Sequence, residues 1–159
     1  MPADRSNGQL VDNPIMLKLL VPVSRSARSL QAVRHAAFLY NERCASEIVL
    51  VNVQPSLEST RLEAFYSLSK LRTLEGADGE AALSRAKRIL DDAGVKYSVE
   101  VRVGPLVSTI ASCAEQYDCD EIVVAAPRSD LFHAVARIIN RSVMDRLVSI
   151  SRIPVTAVH

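Results

Sequence analysis

Glycine is scarce in this chain where phosphate chemistry would need it. The five glycines are Gly8, Gly76, Gly79, Gly94 and Gly104, and none follows the first or the fourth apolar run. No G-x-G-x-x-G and no P-loop can be drawn, which excludes the ordinary dinucleotide-binding and Walker-type readings. Tryptophan is absent and aromatics make up 4%, so a chain that is 48% hydrophobic must build its core from Val, Leu, Ile and Ala. That mixture suits a parallel sheet covered by helices. Cys44, Cys113 and Cys119 are odd in number and lack C-x-x-C spacing. They read as reduced thiols in a cytoplasmic protein rather than as a disulfide framework. No apolar run approaches membrane-spanning length. The net charge of +1 is spread over scattered Lys and Arg, so no nucleic-acid partner is expected.

What is present is a regular alternation of apolar strands and amphipathic helices. Residues 1–14 are polar, without an apolar leader core, and are expected to form a floppy tail ahead of one domain over 15–159. The run Met16–Val23 reads as a central strand, with Pro22 near its end. Ser24–Ser29 gives a polar turn, and Leu30, Val33, Ala37 and Tyr40 put one apolar face on a helix from about Ser26 to Arg43. Ser46–Val53 is a second buried strand.

Residues 57–73 are expected to form an irregular helical crossover, with a weak break at Gly76–Gly79. Glu80–Ala93 then forms a helix with Ala82, Ala86, Ile89 and Leu90 inward and Gly94 as its C-cap. Lys96–Val103 alternates Tyr97, Val99, Val101 and Val103 against polar residues, the mark of an edge strand with one wet face. Pro105 opens a helix to about Tyr117, Glu121–Ala126 is a buried strand, and Ile153–Val158 is a last apolar strand. Five strands and four helical crossovers predict a doubly wound, flavodoxin-like three-layer α/β/α sandwich with a five-stranded, mostly parallel sheet.

Ligands in such sheets bind beyond the carboxyl ends of the strands, where the strand order reverses. The candidate site therefore comprises Ser24, Arg25 and Ser26 after the first strand, Val53 after the second, and Arg128, Arg141, Ser142 and Val143 around the loop 126–142. Ser142-Val-Met-Asp145 fits a capping pattern, with Val143, Leu147 and Ile150 facing the core. Such a cap stabilises a helix by about 1 kcal/mol, and Asp145 in the first turn would repel a phosphate. Arg128, Arg137 and Arg141 are the candidates to bind an anion by charge and fork geometry. His35, His133 and His159 assemble with no nucleophile, and Asp118–Glu121 sits at a solvated corner, so neither a catalytic set nor a metal site is legible. Hydrolase or transferase activity would rest on fold versatility alone.

The segments LLVPVSRSARSLQAVRHAAFL, EIVLVNV, VRVG, DEIVVAA and RSVMDRLVSISRIPVTAV resemble the universal stress protein family, over about residues 15–159. The resemblance implies an adenine-nucleotide alpha-hydrolase-like fold, a cytoplasmic stress-response role, and a homodimer formed through the last strand, here Ile153, Val155 and Ala157. The ATP-binding branch of that family carries G-x-x-G, nine residues, then G-S/T, with an acidic residue after the first strand. Only Ser142 and Val143 match that motif. Arg141 stands at its last glycine, and Leu131 and Arg128, or Ser129 and Ala126 if the loop is two residues longer, stand at the others. Ser24 occupies the acidic position. Side chains in place of those glycines crowd a triphosphate. The expectation is a non-enzymatic, dimeric stress-response protein acting through protein interaction and without the usual ATP or AMP cofactor. The alternative is a nucleotide or small-anion module with a remodelled pocket, in which Arg128 or Arg141 replaces backbone contacts to phosphate.

Overall fold

The computed structural model describes residues 16–54, 68–126 and 143–159, apart from the side chains of 68–78. The elements in chain order are β1 (Leu17–Pro22), α1 (Ser29–Asn41), β2 (Ala45–Gln54), α2 (Leu68–Asp92), β3 (Tyr97–Val103), α3 (Leu106–Gln116) and β4 (Glu121–Ala125). A helix over 143–150, here α4, and β5 (Val155–Val158) complete the chain.

The sheet order is β3-β2-β1-β4-β5 and every neighbouring pair is parallel. Alternation along each strand sends side chains to two separate cores. Leu19, Val21, Ile48 and Leu50 pack under α1 and α2, against Ala32, Val33, Ala36, Ala82, Ala86 and Leu90. Leu20, Val49, Val51 and Ile122 face the opposite way, onto Val107, Ile110 and Ala114 of α3 and Leu147 of α4. The strands β1, β2 and β4 are apolar on both faces because both faces are covered, which is why they read as unbroken hydrophobic runs. The result is the expected three-layer sandwich. Chain order reverses between β1 and β4, and a crevice opens there at the carboxyl ends of the strands.

Several local expectations are corrected. The irregular crossover and the Gly76–Gly79 break are replaced, from Leu68 onward, by one continuous helix to Asp92. Glycine costs a helix about 1 kcal/mol, too little to break one held by packing. Gly79 in fact marks a close approach, since a Cβ built there would lie 2.8 Å from Asn52 Oδ1 and 2.9 Å from Gln54 Nε2. Gly94 does end α2, in the left-handed conformation at φ +65°, with the Val95 amide bonded to the Leu90 carbonyl at 3.0 Å.

On β3 the alternation holds only for its first half. Tyr97 and Val99 pack on the α1/α2 core, while Val101 and Val103 are 53% and 67% exposed. On α4, Leu147 is buried as expected, but Ile150 is 50% exposed. Pro105 is the N-cap of α3 rather than its first helical residue, with extended backbone at ψ 126°. The tail 1–14, the crossover 57–67, and Arg128, Arg137, Arg141 and Ser142 lie outside the described residues.

Candidate ligand site

The crevice at the switch point holds a cavity of about 200 Å³. Its floor is made by strand ends, with Pro22 and Val23 from β1 and its exit, Val51 and Val53 from β2, and Val124 to Ala126 from β4. One side is closed by Leu106 and Ile110 of α3, the other by Val143, Met144 and Leu147 of α4. Ser24, Ser26, Arg28 and Ser29 supply the polar rim. Most of the wall is apolar, and no carboxylate stands among its described residues. A flat apolar group with one polar or anionic end matches this lining.

The rim is built by serines that satisfy the turn between β1 and α1. Ser24 Oγ accepts a hydrogen bond from the Ser26 amide and Ser26 Oγ one from the Arg28 amide, each at 3.3 Å. The buried Ser29 hydroxyl is shared between the carbonyls of Ser26 and Ser24, at 2.8 and 3.0 Å. The Ser29, Leu30 and Gln31 amides are engaged by the carbonyls of Ser26, Ala27 and Arg28. The start of α1 therefore offers few backbone donors to a phosphate. The hydroxyl protons of Ser24 and Ser26 remain for a ligand, because each oxygen accepts a bond and still carries a donor.

Behind the rim lies Asn52, one of two buried polar residues in the described core. Its Nδ2 donates to the Val23 carbonyl at 2.8 Å, and its Oδ1 receives Gln54 Nε2 at 3.4 Å. The contact pins the carboxyl end of β1, and so the height of the serine rim, to β2. Gly79 of α2 packs directly on that amide, so a helix from the opposite layer backs the site.

Of the sequence candidates, Ser24, Ser26, Val53 and Val143 come together on the cavity wall, whereas Arg25 is exposed and does not line it. Arg28, not singled out from the sequence, takes that place. Asn52 was also missed, although a single amide inside the apolar run IVLVNV signals a buried side chain that must be hydrogen-bonded. Among the proposed dimer residues, β5 is an edge strand, Ala157 is exposed, and Ile153 and Val155 are half-buried against the α3 core. Among the described residues no cluster of His, Cys, Asp and Glu could hold a metal, and no helix is long and apolar enough to cross a membrane.

The model of the universal stress protein family matches residues 16–159. The chain belongs to the universal stress protein family. Among curated relatives, the universal stress protein MJ0531 of Methanocaldococcus jannaschii is 29% identical over 143 residues, covering 89% of this chain and 81% of the relative. Among solved structures, the universal stress protein UspA of Lactobacillus plantarum superposes with a TM-score of 0.71 at 22% identity, covering 90% and 97% of the two chains. The universal stress protein of Archaeoglobus fulgidus, solved in complex with dAMP, gives 0.63 at 19% identity over 91% and 98%. At such identities the two structures establish the fold of this family member, a sheet with helices on both faces.

Proposed function

We propose that this universal stress protein is a non-enzymatic, cytoplasmic regulatory protein that holds an adenine-type mononucleotide, or a similar flat ligand with one anionic end, in the switch-point cavity. The observation that carries this reading is the cavity itself, placed by the strand-order reversal and walled by Val53, Val124, Ala126 and Leu147 with serine hydroxyls and Arg28 at one end. The dAMP complex of the structurally similar Archaeoglobus protein supports the ligand class. An apolar slot accepts a base ring, and the serine rim accepts a sugar or phosphate oxygen. Binding in the usual glycine-cradled ATP mode is not part of the proposal, because Arg141 and the residues before it supply no glycine. Arg128 or Arg141 would instead meet a phosphate through side-chain charge.

Calorimetric titration with AMP, dAMP and ATP tests this. AMP and dAMP are expected to bind, Ala126→Leu should abolish binding by filling the slot, and Arg141→Ala should weaken it with little change in melting temperature. If no adenine nucleotide binds or raises the melting temperature at millimolar concentration, the reading fails. Output through protein contact is supported separately by the position of β5. An apolar strand at a sheet edge exposes unpaired backbone groups, and a second copy of the chain would cover them.

A further inference from the structure

The strand β3 is the other open edge of the sheet, opposite β5. It keeps an unshifted register with β2 from Tyr97 to Val103, so neither a bulge nor a proline blunts this edge. Val101 and Val103 stand exposed on it, on the face that packs Tyr97 and Val99 against the α1/α2 core. Glu100 and Arg102 lie on the other face, where they pair with each other at 3.1 Å.

The backbone phase of the edge is fixed by its bonds to β2. The Ile48 amide donates to the Lys96 carbonyl at 3.1 Å, and the Gly104 amide to the Gln54 carbonyl at 2.9 Å. Backbone polar groups alternate sides along a strand, so the even-numbered residues of β3 bond to β2. The N–H and C=O groups of Tyr97, Val99, Val101 and Val103 therefore face outward. An antiparallel copy of β3 can bond there only with odd residues opposite odd residues, and two-fold symmetry narrows the choice to a few axes.

An axis at Val101 sets Val101 against its own copy, Val99 against the partner's Val103, and Glu100 against the partner's Arg102. An axis at Glu100 or at Arg102 opposes two like charges, which is destabilising. An axis at Val99 brings Lys96 opposite the partner's Arg102, again like against like. An axis at Val103 sets Val101 against the partner's Pro105, which has no N–H to give. Only the Val101 axis makes the edge complementary to itself in hydrogen bonds, apolar side chains and charge at once.

We propose that β3 is a self-association edge, on which a second copy of this chain pairs antiparallel about a two-fold axis at Val101. The valines of both copies then form one covered ladder, and Glu100 and Arg102 of both form an alternating row of charge. Seven residues make a small interface, so the pairing is weak and reversible in dilute solution. It is independent of nucleotide binding and uses the edge that pairing through β5 leaves free.

Disulfide trapping in the full chain tests it, on a Cys44→Ala background because Cys44 is the exposed native thiol. At the axis the two Cα atoms of residue 101 come to about 5.5 Å, within disulfide range, whereas those of residue 103 stay about 14 Å apart. Val101→Cys should therefore cross-link to a dimer under mild oxidant in concentrated protein. Val103→Cys, at the more exposed position, should do so about tenfold more slowly. Adding Glu100→Lys should slow the Val101→Cys cross-link about tenfold, and adding Arg102→Glu as well should restore it, because exchanging both charges recreates the cross-strand pairs. Both cysteines replace exposed side chains, so their comparison stands even where a charge variant fails to fold. Equal rates at 101 and 103, no cross-link at either, or a folded Glu100→Lys protein that cross-links like its parent would overturn the proposal.

Discussion

Replacing Gly79 by alanine sets helix propensity against packing, and the structure decides which wins. In the middle of a 25-residue helix the substitution should help, since alanine is better than glycine by about 1 kcal/mol. The new Cβ, however, would lie 2.8 Å from Asn52 Oδ1 and 2.9 Å from Gln54 Nε2. The glutamine end can swing away at small cost. Asn52 cannot, because it is 5% exposed and its amide is held by the Val23 carbonyl at 2.8 Å. Overpacking costs about 1–3 kcal/mol, and loosening the amide contact adds about 1 kcal/mol. The net expectation for Gly79→Ala is a loss of about 1–3 kcal/mol, read as a lower urea midpoint at unchanged slope. Repeating the substitution on an Asn52→Ala background removes the obstacle. There Gly79→Ala should stabilise by about 1 kcal/mol, a sign reversal that a double-mutant cycle records directly. A single Gly79→Ala protein with a raised midpoint would refute the close-packing argument.

The other expectations are smaller in scope. Cys44 is exposed while Cys113 and Cys119 are buried, so one of the three thiols should react quickly with a disulfide reagent in the native protein and all three after denaturation. Burial pushes the Cys119 thiol up to about 11 from its ordinary 9.0, so the folded state holds a proton that the unfolded chain releases. The contribution of Cys119 to stability should be constant below 9.0 and fall as pH rises through that window, and Cys119→Ala should reduce the slope in urea titrations at the two ends. Burial raises Cys113 in the same direction, so some slope should survive. Leu147→Ala removes the buried anchor of α4 and should lower stability by about 2–5 kcal/mol in the same assay. For the dimer proposed through the edge strand β5, Thr156→Pro should yield monomers in light scattering, and a dimer that survives the substitution would exclude β5 as the interface.

The layers were legible because the apolar runs at Leu17–Pro22, Ala45–Gln54 and Glu121–Ala125 are buried on both faces and carry no competing pattern. The cavity position followed from the same runs, since a doubly wound sheet places its crevice where the order reverses. The helix through Gly76 and Gly79 was not legible, because glycine reads as a break unless the surface it meets is known, and that surface is Asn52, distant in sequence. Arg28 rather than Arg25 reaches the cavity for a similar reason. The turn's serine hydrogen bonds set which side chain points inward, and spacing alone does not encode them. The outer half of β3 misled the pattern too: Val101 and Val103 alternate as core residues do, yet they stand exposed at the sheet edge.

The claim that a ligand enters the switch-point cavity is tested most directly by methyl NMR of the valines during titration with AMP. Val53 and Val124 line the cavity, whereas Val95 and Val99 belong to the core under α1 and α2 and serve as internal references. Saturable shifts are expected at Val53 and Val124 with Val95 and Val99 unmoved. Silence at all four, or uniform drift across both cores, would contradict it.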